Sequence, residues 1–473
     1  MPSAKPRLPQ IVVGGLLSTI LSLAATGIAR GQDAPVVPNV PQEDAYQYRA
    51  LPPQEAAQEA APAEEEGPER YLETEFLKKR NISTYGWIDA GIGANSWGAP
   101  FNGPITFDDR AWQGMMNQLY LVNERTLDTE KRTWDWGGRV DLLYGTDFIY
   151  TTARGLDAYQ AGDPIGLGAP RWNSSRYYGL AMPQLYGELG YNDFAVKFGH
   201  FYTIIGYEVV PAIGNFFYTH AYCMQYGEPF THTGILTTWT PNDQVTFYNG
   251  ITNGWDNWDD GTGTFGPVVN PYPAAGSNAA YLGGVTFKDE EGDQSLSITT
   301  SSGNENPQFG LPYVGNRSIL STVYSNKLSD KLTYVFQNDN GWQFNASGPP
   351  NAFQTAQWYG VNQYLFWNFT DTLVGGMRFE WFRDNDGYRV VTPLRNYVFG
   401  QTPYAYGFAG NFWAATWGVN WKPTKNWIIR PELRYDWYSG QPGVATGGNP
   451  ALPFGNGDRS GQFYGGCDAI WQF

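Results

Sequence analysis

All three histidines of the chain, His200, His220 and His232, lie in one central stretch of the sequence. Together with carboxylates such as Glu208 and Glu228, two or three imidazoles could bind a zinc ion, or one could act as the general base of a hydrolase. The chain has no G-x-S-x-G nucleophile motif, so the sequence identifies no catalytic residue. We therefore expect the histidines to pack and to form hydrogen bonds, with no metal and no cofactor.

Charged side chains recur at every second position of several segments, opposite an apolar face. In the segment 427–437, Arg430, Glu432, Arg434 and Asp436 alternate with mostly apolar and aromatic residues. Facing acids and bases set a transverse field that orients solutes in a channel. We predict that these four side chains line a lumen. The other residues predicted to do so are Glu208 and Glu228 on an inward-folding loop, and Asp135, Arg139, Asp141, Lys197, Arg378 and Glu380 on strands.

The alternation that separates these charges from the apolar face indicates β-strands. Several strands reach ten residues, close to the roughly 9–11 that cross a tilted bilayer, and aromatic residues cluster at strand ends, as they do at membrane interfaces. We predict an all-β fold, a transmembrane antiparallel up-and-down β-barrel of about 16 strands (14–18), with a soluble β-sandwich as the alternative. The strands are expected near 82–94, 117–126, 134–144, 184–192, 193–201, 230–240, 244–254, 279–288, 294–303, 317–327, 331–340, 359–369, 373–381, 413–422, 427–437 and 461–473.

The connections alternate between short turns and long loops, as in outer-membrane barrels. One connection, 202–228, is rich in aromatic and apolar residues. Loops of that length are uncommon unless they are functional, and this one is too apolar to be disordered, so we predict that it folds into the lumen. Pro431 predicts a bulge in its strand, because proline cannot donate to the ladder. The other long loops are expected at 96–116, 145–183, 255–277, 304–316, 341–353, 384–406 and 439–460.

The composition agrees with a membrane barrel. Aromatic residues make up 16% of the 473 residues and charged residues also 16%, whereas soluble domains carry about 25% charged residues. The net charge of −15 argues against binding to nucleic acid. Cys223 and Cys467 lie far apart without metal-ligand spacing, and the sequence leaves open whether they form a disulfide or stay free.

The first 80 residues precede the predicted barrel, which occupies 81–473. Residues 1–31 read as a cleaved secretory signal peptide, because Lys5 and Arg7 stand before an apolar run; a transmembrane anchor is the alternative. Residues 32–80 begin with a Pro, Ala, Gln and Glu-rich stretch that predicts a disordered periplasmic linker. The end of this linker could form a short helix.

Four segments resemble the OmpL-like β-barrel porin family of diderm bacteria. The segments are YGWIDAG (85–91), VDLLYGTDF (140–148), FYTIIGYEVVPAIGNFFYTHAYCMQYGEPFTHTG (201–234) and NGWDN (253–257). The resemblance implies a channel in the bacterial outer membrane and carries over no site residue. The terminal aromatic residue, Phe473, resembles the assembly signal of bacterial barrels, so we expect the barrel assembly machinery to recognise it.

The residue pattern and the resemblance together predict a porin for passive diffusion of small hydrophilic solutes or ions, surrounded by outer-membrane lipid and constricted by the loop 202–228. The excess of acidic residues predicts a mild cation preference. One alternative is a barrel hydrolase that depends on the histidines. Another is a structural anchor whose linker 32–80 tethers an envelope layer. A homo-oligomer such as a trimer is common among porins, and the sequence does not decide it.

Overall fold

The structure, a computed structural model, describes residues 68–473 except 154, 158–176, 259–278, 306–314, 347–353, 393–404 and 446. Within these residues, one α-helix, α1 (Glu75–Lys78), precedes the strands. None of the helices described is long and apolar enough to cross a membrane. The first strands are β1 (Ile82–Asn95), β2 (Met115–Arg125), β3 (Trp134–Gly145), β4 (Gly179–Tyr191), β5 (Phe194–Tyr202), β6 (Thr231–Asn242), β7 (Val245–Thr252), β8 (Ala280–Lys288), β9 (Gln294–Glu305) and β10 (Gly315–Ser329).

The remaining strands complete one closed barrel and one small sheet. They are β11 (Leu332–Ala346), β12 (Gln354–Thr370), β13 (Leu373–Asp384), β14 (Ala405–Tyr406), β15 (Gly410–Thr424), β16 (Trp427–Gly440), β17 (Gly443–Ala445), β18 (Pro450–Ala451) and β19 (Gly461–Gln472). Sixteen of the strands described form the barrel, in which successive strands pair antiparallel and β19 pairs with β1. The predicted all-β antiparallel barrel is therefore confirmed, and each of the sixteen expected strands is present.

Strand β16 shows how the sequence separates the two faces of the wall. Arg430 and Arg434 are buried, whereas Trp427 and Leu433 on the alternate positions are 41% and 63% exposed. Successive side chains of a strand point to opposite faces. The apolar set therefore faces outward, where a membrane barrel meets lipid, and the charged set faces the interior.

Two long loops contain regular structure that the sequence did not predict. β14 pairs with β17, and β17 pairs with β18, so segments within 384–406 and 439–460 form a three-stranded sheet beside the barrel. Each of these strands has only two or three residues. Such strands are too short for a period of two to be visible in the sequence.

The predicted bulge at Pro431 is wrong. The ladder between β15 and β16 keeps one register from the pair Gly418 and Glu432 to the pair Trp421 and Ile429, and it shifts only close to the turn. Proline lacks only its backbone N–H donor, so only the hydrogen bond toward one neighbouring strand is lost. The regular bonding on both sides of this position preserves the register.

The described chain begins at the edge of the barrel. The backbone of Glu69 exchanges hydrogen bonds with the Asn426 side chain (3.4 and 3.1 Å), and its carboxylate lies 3.2 Å from Nζ of Lys425. These contacts attach residues just before α1 to the turn between β15 and β16. The signal peptide and most of the linker predicted from sequence lie outside the described residues. Both cysteines are free, with Cys223 buried and Cys467 half-buried.

Candidate functional site: the inner loop and the charged wall

The connection from β5 to β6, Thr203–Phe230, is here called the inner loop, and most of its residues are buried. It contains a 3₁₀ turn at Ala212–Gly214 and a π-helical turn at Cys223–Gly227. Its polar contacts reach strands β2, β11, β12, β13 and β16. Because these strands belong to separate parts of the wall, the inner loop packs against the interior face of the barrel. The sequence placed this loop at 202–228.

Arg378 on β13 joins the inner loop to the wall. Its Nη1 donates to Oε1 of Glu208 (2.8 Å) and to the carbonyl of Thr219 (2.7 Å), and its Nε donates to Oε1 of Glu380 (2.8 Å). The hydroxyl of Tyr364 donates to the same Glu208 oxygen (3.1 Å). Charge-assisted bonds of this kind are about twice as strong as neutral ones. A single buried guanidinium therefore connects two residues of the inner loop to strand β13.

A second arginine, Arg434 on β16, repeats this arrangement. Its Nη1 donates to the carbonyl of His220 (2.8 Å) and lies 3.4 Å from Glu380, while its Nη2 lies 2.8 Å from Asp436. Tyr222 of the inner loop donates its amide to Glu380 (2.8 Å) and its hydroxyl to Asp436 (2.8 Å). Both carboxylates therefore bind an arginine and the loop at once.

Two more charges of β16 bind the first half of the inner loop. Glu432 accepts a hydrogen bond from the hydroxyl of Thr219 (2.5 Å). Arg430 donates to the carbonyl of Asn215 (2.7 Å) and from Nε to the carboxylate of Asp468 on β19 (3.0 Å). The charges predicted to line the lumen on β13 and β16 thus lie on the interior face, and their partners are the inner loop and one another.

Glu208 is ionised despite its burial. Burial disfavours its charge, but the Arg378 guanidinium, a hydrogen bond with His220 and the amide of Ala221 outweigh this effect and lower the pKa of Glu208 to about 2. Burial also lowers the pKa of His220. A neutral His220 ring therefore donates its Nδ1–H to Oε2 of Glu208 (3.2 Å).

Glu228, at the other end of the inner loop, is in the opposite state. Gln337 of β11 donates to Oε1 of Glu228 (2.5 Å) and to Oδ2 of Asp339 (2.8 Å). Burial and the neighbouring Asp339 carboxylate raise the pKa of Glu228 well above its usual range. Two adjacent buried carboxyl groups cannot both ionise easily, so this pair retains a proton at neutral pH.

The other two histidines lie beside the ends of the inner loop. His200 Nδ1 is 2.8 Å from the hydroxyl of Thr233, and His232 Nε2 is 3.0 Å from the hydroxyl of Thr203. The described residues contain no group of three or more His, Cys, Asp or Glu that could hold a metal ion. Each histidine thus bonds within its own surroundings, and the three do not converge.

Three of the predicted residues lie on β3, outside the contacts of the inner loop. Arg139 donates from Nε to Oδ1 of Asp141 (2.7 Å), and its Nη1 lies 3.5 Å from Glu124 on β2. Asp135 pairs with Arg125 (2.9 Å) close to the turn between β2 and β3. Asp135 therefore fixes a turn, whereas Arg139 and Asp141 form an ion pair on the wall.

Lys197 on β5 lies directly across from Glu188 on β4, and its Nζ is 4.3 Å from the centre of the Tyr186 ring. The cleft beside it is lined by Glu124, Arg139, Tyr186 and Glu188, together with the exposed apolar side chains of Trp136, Leu189 and Phe198. Glu124 keeps 24% of its side chain exposed. Unlike the charges of β13 and β16, these charged side chains are only partly buried.

Sequence reasoning missed several partners of the inner loop. Gln118 on β2 accepts a bond from the amide of Ala212 (3.0 Å) and donates to the carbonyl of Val210 (2.8 Å). A neutral polar residue in a strand gives no signal of such a role. Asp468 was recognisable, because it alternates with outward residues in the last strand.

The fold and the site define a class of protein. A closed barrel of sixteen strands with an apolar outer face, a polar interior and a loop packed inside is the architecture of outer-membrane porins. The chain belongs to the family described as "Putative beta-barrel porin-2, OmpL-like", whose model matches residues 81–473. It is therefore a porin-family protein of the bacterial outer membrane, a class of channels rather than of enzymes.

Several solved structures have a similar fold. The anion-selective porin from Comamonas acidovorans aligns with a TM-score of 0.52 at 10% identity, covering 83% of this chain and 99% of that chain. Pseudomonas putida OprB aligns with a TM-score of 0.49 at 10% identity, covering 86% and 99%. The outer membrane channel DcaP of Acinetobacter baumannii aligns with a TM-score of 0.47 at 13% identity, covering 83% and 97%. The comparison with curated proteins finds no match.

Replacing Arg378 with methionine should destabilise the barrel strongly. The change leaves Glu208 and Glu380 buried without their shared counter-charge, and breaking a buried ion pair costs about 3–5 kcal/mol. The thermal unfolding midpoint in detergent micelles should fall well below that of the unchanged protein.

Arg383→Met is the matched control, because Arg383 lies on the same strand but bonds only to the Asn385 side chain within the described residues. Adding Glu208→Gln to Arg378→Met should recover part of the loss, since the uncompensated charge is removed. Equal midpoints for Arg378→Met and Arg383→Met would contradict the assignment.

The protonated state of Glu228 predicts a pH dependence of stability. Above the ordinary pKa of glutamate the unfolded chain releases this proton while the folded chain keeps it, so the free energy of unfolding should decrease as pH rises toward the folded pKa. Glu228→Gln imitates the protonated form. It should raise the unfolding midpoint at pH 8 and flatten its slope between pH 5 and pH 8.

Glu290→Gln, in the exposed turn before β9, serves as the control and should change neither the midpoint nor the slope. If Glu228→Gln lowered the midpoint at pH 8, the carboxyl would have to be ionised in the folded protein.

Proposed function

We propose that the protein is a passive channel for small hydrophilic solutes and ions, narrowed by the inner loop. The observation that carries this proposal is the bonding of the loop to the interior wall. Arg378 holds Glu208 and Thr219, and Arg434 holds His220. A loop attached at these points is a fixed obstacle inside the barrel, and a fixed obstacle sets the size of what passes.

Hydrophilic solutes are favoured by the part of the wall that the charges do not occupy. The interior positions of β9 carry small hydroxyl side chains, and those of Ser295 and Ser301 have no hydrogen-bond partner within the described residues. Such groups suit water and hydroxylated solutes, which can satisfy them. The hydroxyl residues at interior positions of β9 and β10 are Ser295, Ser297, Thr299, Ser301, Ser321 and Ser325.

Charge selectivity in this proposal depends on the cleft beside Lys197. Arg378, Arg430 and Arg434 are paired with carboxylates and buried, so they offer little attraction to anions. Glu124 and Glu188 are only partly buried, Arg139 is already paired with Asp141, and Lys197 across from Glu188 leaves the acids in excess at this part of the wall. A mild cation preference is therefore proposed.

Targeting and assembly complete the proposal. Residues 1–31 would direct secretion and be cleaved, residues 32–80 would form a periplasmic linker, and the barrel machinery would recognise Phe473. In support of the last point, Phe473 exchanges two backbone hydrogen bonds with Gly86 on β1 (2.9 Å each). The terminal residue thus extends the ladder that closes the barrel. Self-association in the membrane is also proposed.

The test of the channel is conductance of the refolded protein in a planar bilayer. Stepwise openings of constant size are expected. Replacing residues 206–227 by a short Gly-Ser linker should enlarge the step by about twofold or more, because the obstacle is removed. Deleting residues 32–67 is the control and should leave the step unchanged. A folded barrel that inserts without conducting would contradict the proposal.

Selectivity is tested by the reversal potential in a salt gradient, where the unchanged protein should favour cations. The double variant Glu124→Gln with Glu188→Gln should reduce the cation-to-anion permeability ratio. The matched control, Glu290→Gln with Glu291→Gln, removes the same charge from an exposed turn and should have a smaller effect. A preference for anions in the unchanged protein would contradict the proposed role of the cleft.

A further inference from the structure

Two arginines lie close together at the end of the barrel that carries the long loops. Arg317 is near the start of β10, and Arg389 is in the connection that follows β13. The guanidinium carbon of Arg317 is 5.0 Å from the centre of the Trp255 ring, and that of Arg389 is 5.5 Å from the same centre. Burial and the charge of Arg317 lower the pKa of Arg389 to about 10, so both arginines are charged at neutral pH.

Arg389 uses a small part of its hydrogen-bonding capacity. Its Nε donates to the carbonyl of Tyr226 in the π-helical turn of the inner loop, and its guanidinium carbon lies 4.9 Å from the centre of the Trp358 ring. A guanidinium has five N–H donors in a planar fork. Within the described residues, neither Nη nitrogen of Arg389 donates a hydrogen bond. Arg389 is only partly buried, so its fork is available to a solute.

Two neutral donors beside the arginines are buried. Nε1 of Trp255 and Nε2 of Gln343 have no hydrogen-bond partner within the described part of the chain, although Trp255 is 4% exposed and Gln343 is fully buried. Oε1 of Gln343 accepts from Nε of Arg317 (2.5 Å) and from the hydroxyl of Tyr388 (3.3 Å), which fixes the orientation of the amide. A buried donor without an acceptor is costly, so a bound acceptor would explain both groups.

The carboxylates near the two arginines already accept hydrogen bonds from the backbone. Asp384 accepts three N–H groups of the turn that carries Arg389 (2.7–2.9 Å), and Asp256 accepts two at the start of β6 (3.1 and 2.8 Å). Oε1 of Glu305 accepts a backbone amide (2.7 Å), and its Oε2 lies 4.0 Å from Nη1 of Arg317, which is beyond hydrogen-bond distance. Side-chain donors are therefore in excess around the arginines.

We infer that Arg317 and Arg389, with the side-chain N–H groups of Trp255 and Gln343, form an oxyanion site that takes inorganic phosphate or the phosphate group of a small solute. A phosphate group carries about two negative charges at neutral pH and has three strong acceptor oxygens. It can therefore bind both guanidiniums and a neutral donor at once, and arginine forks match the geometry of phosphate.

The oxyanion site lies beside the constriction. The carbonyl of Tyr226 holds Arg389, and the carbonyl of Gly227 accepts a hydrogen bond from Nε1 of Trp358 (3.0 Å). The long loops of outer-membrane barrels are extracellular, so a phosphate bound here would meet the inner loop from outside the cell. The inference deepens the proposed channel function by naming a solute class, and it rests on that function for passage of the solute.

The test is the thermal unfolding midpoint of the refolded protein in detergent micelles, titrated with inorganic phosphate at pH 8 and constant ionic strength. A ligand that binds only the folded state raises the midpoint. The unchanged protein should show a saturable rise. Arg389→Met should need about tenfold more phosphate for the same rise, because the charged fork is lost. Acetate carries a single charge and should give a smaller rise than phosphate.

Two further variants separate binding from folding. Arg383→Met is the matched control, because Arg383 lies on β13 and bonds to the Asn385 side chain within the described residues. It should keep the phosphate dependence of the unchanged protein. Trp255→Phe retains an aromatic ring beside the arginines but removes the indole N–H. It should fold and bind phosphate severalfold more weakly.

Three results would overturn the inference: no saturable rise in the unchanged protein, an acetate effect as large as that of phosphate, or the same phosphate dependence in the unchanged protein, Arg389→Met and Trp255→Phe. Conductance in a planar bilayer tests the channel separately. A protein that never conducts but shows the expected phosphate dependence would contradict the proposed channel and support the oxyanion site.

Discussion

The pairing of Arg378 with Glu208 is the interaction on which the interior of this barrel depends. Moving an isolated charge from water into a protein interior costs several kcal/mol, and only a close counter-charge with further hydrogen bonds offsets that cost. Glu208 belongs to the inner loop and Arg378 to the wall, so the Glu208 carboxylate is buried favourably only where the loop meets Arg378. The position of the loop follows from this requirement, and Glu380 on the same strand links it to Arg434 on β16.

The fold was predictable because each strand of a membrane barrel lies between two different environments. Lipid selects apolar residues at one set of alternate positions, and the interior selects polar residues at the other set. In β16 this produces a regular alternation that is visible in the sequence without any tertiary information. The short strands β14, β17 and β18 have no such division, and their pairing could not be predicted.

The interior site was predictable only in part. The period of two places Arg430, Glu432 and Arg434 on one face of their strand, but it could not name their partners, because these belong to the inner loop and to other positions of the wall. Arg378 and Glu208 are 170 residues apart in the sequence, and no local pattern connects them. The sequence also could not show that the two acids of the inner loop differ in protonation. Arg378 holds Glu208 as a carboxylate, whereas Glu228, beside Asp339, retains a proton.

Polar groups on both faces of the wall need hydrogen-bond partners, and the two faces supply those partners differently. Inside the barrel, polar groups of the strands find partners within the chain, because the inner loop supplies backbone carbonyls, amides and a carboxylate at their positions. On the outer face, Asn338 donates to the carbonyl of Gly360, and Asn340 donates to Asn338. Leucine at these positions would suit lipid, as Leu433 does on β16. The polar groups inside therefore bond to the inner loop, whereas these outer amides bond to the wall itself.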